Sequence, residues 1–414
     1  MRIILGVCGS ISAYKSIEVM RSLIKDGHEV RVVLTKGAEK FVRHELFSYL
    51  GAQNVYASGD DFRYPHELHQ KGDSTVLHID LANWAQKMIV APLSANTLSD
   101  MAHGKANDLL TSIFLAFPQE KFISVFPAMN TKMLNHPFVK ENLENLKKLR
   151  TLENIYVDET SAGELACGEQ GEGRLAEVEK IALLGSIAEK KNKEKRILIT
   201  TGGTIAPLDP VRFLANPSTG KMGLEIAKIA IQNGYAVTLI KGHNTIKEID
   251  YLNALEGISV IEAKTTADMH KAVHQEISRA NVFIASAAVA DIEFAQSSQK
   301  IKKEILSEGS LPFSPAQDIL KSVVELNQKD LYTVGFAAET NLLEEMLNKK
   351  WERKPTNLLI GNQVDNGLSG SEMKAFGQDH ASFLIKDQQD FQTLKTSKRE
   401  IAKLIIKKVE AWKS

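Results

Sequence analysis

Apolar residues fall along this chain in short, β-branched runs that alternate with amphipathic stretches of helical spacing. In the first half, residues 3–7, 29–34, 88–91 and 122–125 read as strands, and residues 13–25 as an amphipathic helix. Two of these runs end in Pro and Asn: Met88-Ile-Val-Ala-Pro92-Leu-Ser-Ala-Asn96 and Phe122-Ile-Ser-Val-Phe-Pro127-Ala-Met-Asn130. Near-continuous apolarity of this kind marks strands buried on both faces, as in a parallel sheet. After a helix over residues 176–189, the run Lys190-Lys-Asn-Lys-Glu-Lys-Arg196 breaks all apolar periodicity and reads as a linker. The alternation then restarts. Strands are expected at 236–240, 282–285, 332–336 and 358–360, helices at 265–279, 339–351 and 398–412, and a hairpin at 381–386 and 391–395. The pattern predicts the α/β class, as two doubly wound, mainly parallel-sheet domains at residues 1–190 and 191–414.

A length of 414 residues suits two such domains, each with an ordinary core. Lys and Arg total 51 and so do Asp and Glu, so no global field draws the chain to nucleic acid or an anionic membrane. The apolar start at residues 3–7 is too short for a signal peptide, and no stretch approaches the ~20 apolar residues of a membrane span. Two cysteines far apart offer neither metal-ligand spacing nor a disulfide framework, so a reducing, cytoplasmic setting is expected.

In open α/β sheets ligands bind at the carboxyl ends of the strands, and the polar residues of the first half gather at such ends. Gly6-Val-Cys-Gly9-Ser10-Ile-Ser12 follows the first strand and presents backbone N–H groups and hydroxyls at a helix start, which suits a phosphate. It is not the G-x-G-x-x-G pattern, and taken alone it is equally a tight strand–helix turn. Thr35 ends the second strand, and Ser94 and Asn96 open a further helix with small neighbours that permit approach of a flat ring. Downstream, Ser161-Ala-Gly-Glu-Leu-Ala-Cys167-Gly-Glu-Gln-Gly-Glu-Gly-Arg174 surrounds a thiol with glycines. Such a segment is either a connector with an incidental cysteine or a flap that closes a thiol over a bound molecule.

The ordered set His78-Ile-Asp-Leu-Ala, Pro92-Leu-Ser-Ala-Asn96, Pro127-Ala-Met-Asn130 and the Cys167 loop resembles the flavin-containing cysteine decarboxylases, over roughly residues 1–190. The resemblance implies noncovalent FMN, with Gly9, Ser10, Ser12, Thr35, Ser94 and Asn96 as contacts. It also implies oxidation of the thiol end of an N-acyl cysteine, loss of the neighbouring carboxylate, and hydride return to the enethiol. By it, His78 is a base or proton shuttle, Asn130 grips the carboxylate, and Cys167 donates the proton of the reductive step. The chain departs from the family pattern at Cys8-Gly9-Ser10, Trp84-Ala-Gln86 and Pro92-Leu-Ser.

In the second half Thr200-Thr-Gly202-Gly203-Thr204 ends a strand like a phosphate-binding turn, again without G-x-G-x-x-G. Pro207-Leu-Asp-Pro210-Val-Arg212-Phe-Leu-Ala-Asn216-Pro-Ser-Thr-Gly220-Lys221-Met-Gly223 then supplies hydroxyls, cations and an amide ahead of a helix. With Ala287-Ala-Val-Ala-Asp291, Lys300-Ile-Lys-Lys303 and Gly335-Phe-Ala-Ala-Glu-Thr340, these segments resemble phosphopantothenate–cysteine ligase, a Rossmann-like domain, over about residues 195–410. The resemblance implies activation of the 4′-phosphopantothenate carboxylate as an acyl-nucleotide, then displacement by the amine of cysteine. It makes Asp291, Lys300, Ala316, Gln317, Asp318, Ile319, Phe336, Lys350 and Lys354 nucleotide contacts, with Lys300 catalytic and Asn216 holding the acyl substrate. Read alone, residues 300–303 are a solvated charge run. Gly361-Asn-Gln363 departs from the family pattern.

Together the halves resemble the bacterial bifunctional coenzyme A biosynthesis flavoproteins. That resemblance implies 4′-phosphopantothenate, L-cysteine and CTP with Mg²⁺ as substrates, although residue chemistry leaves ATP open and names no metal ligands. It also implies a homo-oligomer of decarboxylase trimers, assembled into dodecamers, with dimeric ligase domains. A peptidyl-cysteine decarboxylase joined to a nucleotide-binding domain, and a non-catalytic flavoprotein regulator, remain as alternatives.

Overall fold

The computed structural model describes residues 1–63, 76–149, 154–164, 170–187, 194–302, 311–340, 344–363, 379–388 and 390–412. Cys167, Lys303 and most of the run 190–196 lie outside the described residues. The chain divides into two compact units, Met1–Lys190 and Lys191–Ser414.

The first unit is built on six parallel strands: β1 Arg2–Val7, β2 Glu29–Leu34, β3 Asn54–Tyr56, β4 Lys87–Leu93, β5 Phe122–Pro127 and β6 Ile155–Val157. Their order across the sheet is β3-β2-β1-β4-β5-β6. All seven residues of β4 are buried, which is why that strand reads as an unbroken apolar run. Even Lys87 is covered there, its ammonium lying 5.4 Å from the centre of the Phe122 ring. Helices cover both faces. Ile89 of β4 lies so close beneath the helix Val178–Ile187 that a Cβ on Gly185 would sit 2.7 Å from its Cδ1. A small antiparallel hairpin, β7 Ser161–Glu164 with β8 Gln170–Arg174, stands apart from the main sheet.

The second unit repeats the plan. Its strands are β9 Arg196–Thr201, β10 Ile205–Pro207, β11 Phe213–Ala215, β12 Ala236–Lys241, β13 Ile258–Glu262, β14 Val282–Ala285, β15 Ile292–Phe294, β16 Phe313–Pro315, β17 Tyr332–Glu339, β18 Leu358–Gln363, β19 His380–Lys386 and β20 Phe391–Ser397. The main sheet runs β13-β12-β9-β14-β17-β18-β19-β20, parallel as far as β18 and antiparallel beyond it. The pairs β10–β11 and β15–β16 form separate antiparallel ribbons.

The structure moves several boundaries. The helix expected at 339–351 occupies Glu344–Arg353, because Ala337, Ala338 and Glu339 extend β17 in register with Gly361, Asn362 and Gln363. The helix expected at 13–25 is a 3₁₀ turn, Ile11–Tyr14, followed by an α-helix, Lys15–Lys25. The last helix stops at Ala411, with Trp412 in extended geometry. The short strands β3, β6 and β13 have no counterpart in the expected elements. Each lies at or near a sheet edge and carries too few buried residues to form an apolar run.

Candidate active sites

In the first unit the strand order reverses between β1 and β4, which opens a crevice at their carboxyl ends. The Cys8 amide donates to the Pro92 carbonyl at 3.2 Å and ties those ends together. Ser10 Oγ accepts from the Ser12 amide at 3.3 Å and starts the 3₁₀ turn. Gly9 abuts the turn after β2, where a Cβ would lie 2.8 Å from the Gly37 Cα. Only glycine leaves that approach open. In the same turn buried Thr35 accepts from the Ala38 amide at 3.3 Å. Ser94 caps the helix Ala95–Ala102 by accepting from the Thr97 amide at 3.3 Å, and Asn96 donates to Asp100 at 3.4 Å. Thus Gly9, Ser10, Ser12, Thr35, Ser94 and Asn96 all lie at one end of the sheet. Small residues, hydroxyls and helix starts fit a phosphate-bearing flat ring such as a flavin nucleotide. Fully buried Cys8 is no nucleophile here: burial pushes its thiol up to about 12.

His78 lies in the first turn of the helix Leu77–Trp84. Its Nδ1 is 2.9 Å and 3.2 Å from the two carboxylate oxygens of Asp61, and its backbone amide donates to Asp61 at 3.4 Å. Asn130 caps the short helix Thr131–Leu134 and accepts from the Lys132 amide at 2.8 Å. The β7–β8 hairpin is seated on this turn. The Met129 amide donates to the Gly173 carbonyl at 3.0 Å, and the Thr131 hydroxyl donates to the Glu172 carbonyl. Gly173 has φ +116°, and a Cβ there would lie 2.1 Å from the Met129 carbonyl oxygen, so no other residue fits. The hairpin that brackets Cys167 in sequence is therefore docked beside Asn130, although Cys167 itself lies outside the described residues.

In the second unit the reversal falls between β9 and β14. There a cavity of about 500 Å³ is lined by Asn216, Asp291, Ala316, Gln317, Asp318, Ile319, Phe336, Lys350 and Lys354. Gly202 turns with φ +79°, so the loop after β9 threads between two segments. The Ala288 amide donates to the Gly202 carbonyl at 2.8 Å, and Asn216 Nδ2 donates to the Ala288 and Val289 carbonyls, both at 3.2 Å. Lys350 is ion-paired with Glu339, and Lys354 lies 2.5 Å from Asp318, which also caps the helix Ile319–Val324.

Lys300 is not part of this lining. Its neighbour Ile301 is held elsewhere: its amide donates to Asp209 at 3.1 Å and its carbonyl accepts from Arg212 at 2.8 Å. The Asp209 side chain is fully covered, and the Arg212 guanidinium holds its carboxyl well below the usual carboxylate range. Both residues belong to the motif around Asn216, but nothing in the sequence links them to residue 301. Asp61 is a second functional candidate without a sequence signal, since it reaches His78 only through folding.

Lys221 and Lys398 also line the cavity, each in the first turn of a helix. Burial, and then the charge of Lys221, push Lys398 down to about 8. The charged form is thus disfavoured in the fold. The cost is fully present below about pH 8 and vanishes above the ordinary lysine value of 10.5. Lys398→Met should therefore stabilise the second unit at pH 7, by about 1 kcal/mol once partial exposure is discounted. Thermal unfolding at pH 7 and at pH 10.5 measures this. A melting temperature that does not rise at pH 7 would contradict it.

No helix among the described residues is long and apolar enough to cross a membrane. The described residues also hold no group of three or more His, Cys, Asp or Glu that could bind a metal. Residues 1–191 match the Flavoprotein family, and residues 192–412 match the family described as DNA/pantothenate metabolism flavoprotein C-terminal domain. The chain is 34% identical over 413 residues to the Coenzyme A biosynthesis bifunctional protein CoaBC of Vibrio vulnificus strain YJ016, covering 99% of this chain and 97% of that protein. It is 34% identical to the same protein of Bacillus subtilis strain 168, covering 99% and 96%. With that of Escherichia coli strain K12 the identity is 32%, covering 97% and 94%. Among solved structures, the C-terminal domain of CoaBC is 27% identical, with a TM-score of 0.42 over 54% of this chain and 97% of that one. A PPC decarboxylase mutant complexed with pantothenoylaminoethenethiol is 34% identical, with a TM-score of 0.38 over 44% and 93%.

Proposed function

Since this chain belongs to the family of bifunctional coenzyme A biosynthesis proteins, we propose that its second unit ligates cysteine to 4′-phosphopantothenate with CTP and its first unit decarboxylates the product. The carrying observation is the second-unit cavity, where Asn216, Asp291, residues 316–319, Phe336, Lys350 and Lys354 converge from separate segments. Lys350 and Lys354 are the cations for the triphosphate, whose oxygens take over from Glu339 and Asp318 on binding. The Asn216 amide is fixed by two carbonyls at the cavity wall and holds the acyl group. Lys300, which lies outside this lining, has no part in the cavity as it stands and enters the reading only through the family resemblance; Mg²⁺ belongs to the incoming nucleotide.

The first unit is a flavoprotein domain. FMN held at the β1–β4 crevice supplies two-electron oxidation and reduction of the substrate. His78 takes up and returns a proton. Asn130, in a turn braced by β7–β8, binds the carboxylate without adding charge. Cys167 is the proton donor for the last step. A homo-oligomer, with trimers of the first unit and dimers of the second, completes this reading.

The test is direct. Purified protein should be yellow and release FMN on heating. With 4′-phosphopantothenate and cysteine it should form 4′-phosphopantothenoylcysteine, then 4′-phosphopantetheine, with CTP but not ATP. Well-folded protein without flavin would remove the first-unit reading. Product masses formed with ATP alone would overturn the nucleotide assignment.

A further inference from the structure

We propose that Asp61 is the positioning residue for His78: it fixes the imidazole with its proton on Nδ1 and so keeps Nε2 as the proton acceptor for the decarboxylation. The inference rests on the reading of His78 as base or proton shuttle and adds to it the group that sets the ring's state. An ionised carboxylate has no proton to donate. Contacts of 2.9 and 3.2 Å from both its oxygens to Nδ1 therefore require Nδ1 to carry the hydrogen. Only the other nitrogen then has a lone pair for substrate.

The arrangement is built to hold one geometry. Asp61 lies in the 3₁₀ turn Asp60–Phe62, while His78 lies in the first turn of the helix Leu77–Trp84, whose preceding residue, Val76, supplies no side-chain cap. Asp61 reaches across to accept from the His78 amide at 3.4 Å as well as from the ring, so one carboxylate orients both helix start and side chain. Side-chain exposures of 28% for His78 and 21% for Asp61 place the pair in a half-buried setting, where a charge-assisted bond outlasts competition from water. The neighbouring carboxylate is committed elsewhere: Asp60 accepts from the Ala57 amide at 2.8 Å and faces Arg63 at 3.7 Å. Among the described residues, the helix Leu109–Ala116 packed on the His78 helix carries no ionisable side chain, and the Lys121 ammonium meets the far end of the His78 helix, donating to the Ala82 and Asn83 carbonyls at 2.9 and 2.8 Å. When His78 takes a proton, the Asp61 carboxylate balances the charge without itself being protonated.

The isosteric change Asp61→Asn keeps an oxygen for the helix amide but removes the charge and offers an N–H to Nδ1. In FMN-loaded full-length enzyme given 4′-phosphopantothenoylcysteine, kcat should fall about 100-fold with KM unchanged, the size of a lost acid–base contribution. Flavin content and melting temperature should hold, and Asp61→Glu should recover part of the loss. The second readout needs no turnover. Solid-state ¹⁵N spectra of histidine-labelled wild type, with His78 assigned by its disappearance in His78→Asn, should show Nδ1 protonated and Nε2 bare. A wild-type spectrum with the proton on Nε2 would overturn the proposal even if Asp61→Asn proves unstable, as would a folded Asp61→Asn with undiminished kcat. Undiminished decarboxylation by His78→Asn would instead sink the parent reading of the histidine.

Discussion

Replacing Asn216 by aspartate should cut cysteine ligation by about three orders of magnitude, within the range of losing a preorganised donor at a reacting centre. The amide donates to the Ala288 and Val289 carbonyls, both at 3.2 Å. A carboxylate in its place would face two carbonyl oxygens with no hydrogen to offer and would add negative charge where an anionic substrate must settle. Both effects oppose binding, and the second grows as the acyl-nucleotide forms. Because Asn216 is exposed, the fold should tolerate the change and the melting temperature should hold. CTP-dependent pyrophosphate release and product formation are the measurements. Decarboxylation of supplied 4′-phosphopantothenoylcysteine should continue at its normal rate, since Asn216 belongs to the second compact unit. Ligation within a few-fold of wild type would remove Asn216 from the site. Parallel loss of both activities would mean that the two units do not act independently.

His78→Asn should produce the mirror image: decarboxylation lower by roughly two to four orders of magnitude, the usual worth of a positioned acid–base group, with ligation intact. Asparagine can still accept a hydrogen bond but cannot take up and return a proton near neutral pH. Asp61 would then face an amide rather than a ring nitrogen, and no proton-transfer chain would remain. The protein should stay yellow, because the flavin contacts proposed above are at the ends of β1, β2 and β4 and not on the His78 helix. Loss of flavin by this variant, or decarboxylation at the wild-type rate, would each contradict the assigned role.

The fold was largely legible because its central strands are buried on both faces. Runs such as 88–91 and 122–125 have no polar face, so their apolarity announces parallel strands directly. The edges were less legible. Strands β3 and β6 are three residues each, too short to show a period, and β17 runs three residues past the expected strand because β18 pairs with it there. Among the candidate site residues, the hydroxyls and glycines after β1, β2 and β4 and the turn at Asn130 stand out in the sequence, since local backbone geometry demands those residue types at strand ends.

Reading the chain in one dimension is enough for its α/β class in two units and for the family to which it belongs. These follow from local periodicity and from ordered motifs, which survive without knowledge of any contact. Which groups meet the candidate site residues is settled only in three dimensions. Asp61 meets His78 only because a 3₁₀ turn packs beside a helix start. Lys221 and Lys398, 177 positions apart by number, share a cavity wall, where burial first and the Lys221 charge second disfavour the charged form of Lys398. Asp209 and Arg212 pin residue 301 from 92 and 89 positions away. Electrostatic and hydrogen-bonding partners are set by distance in space, and a linear pattern carries no record of it.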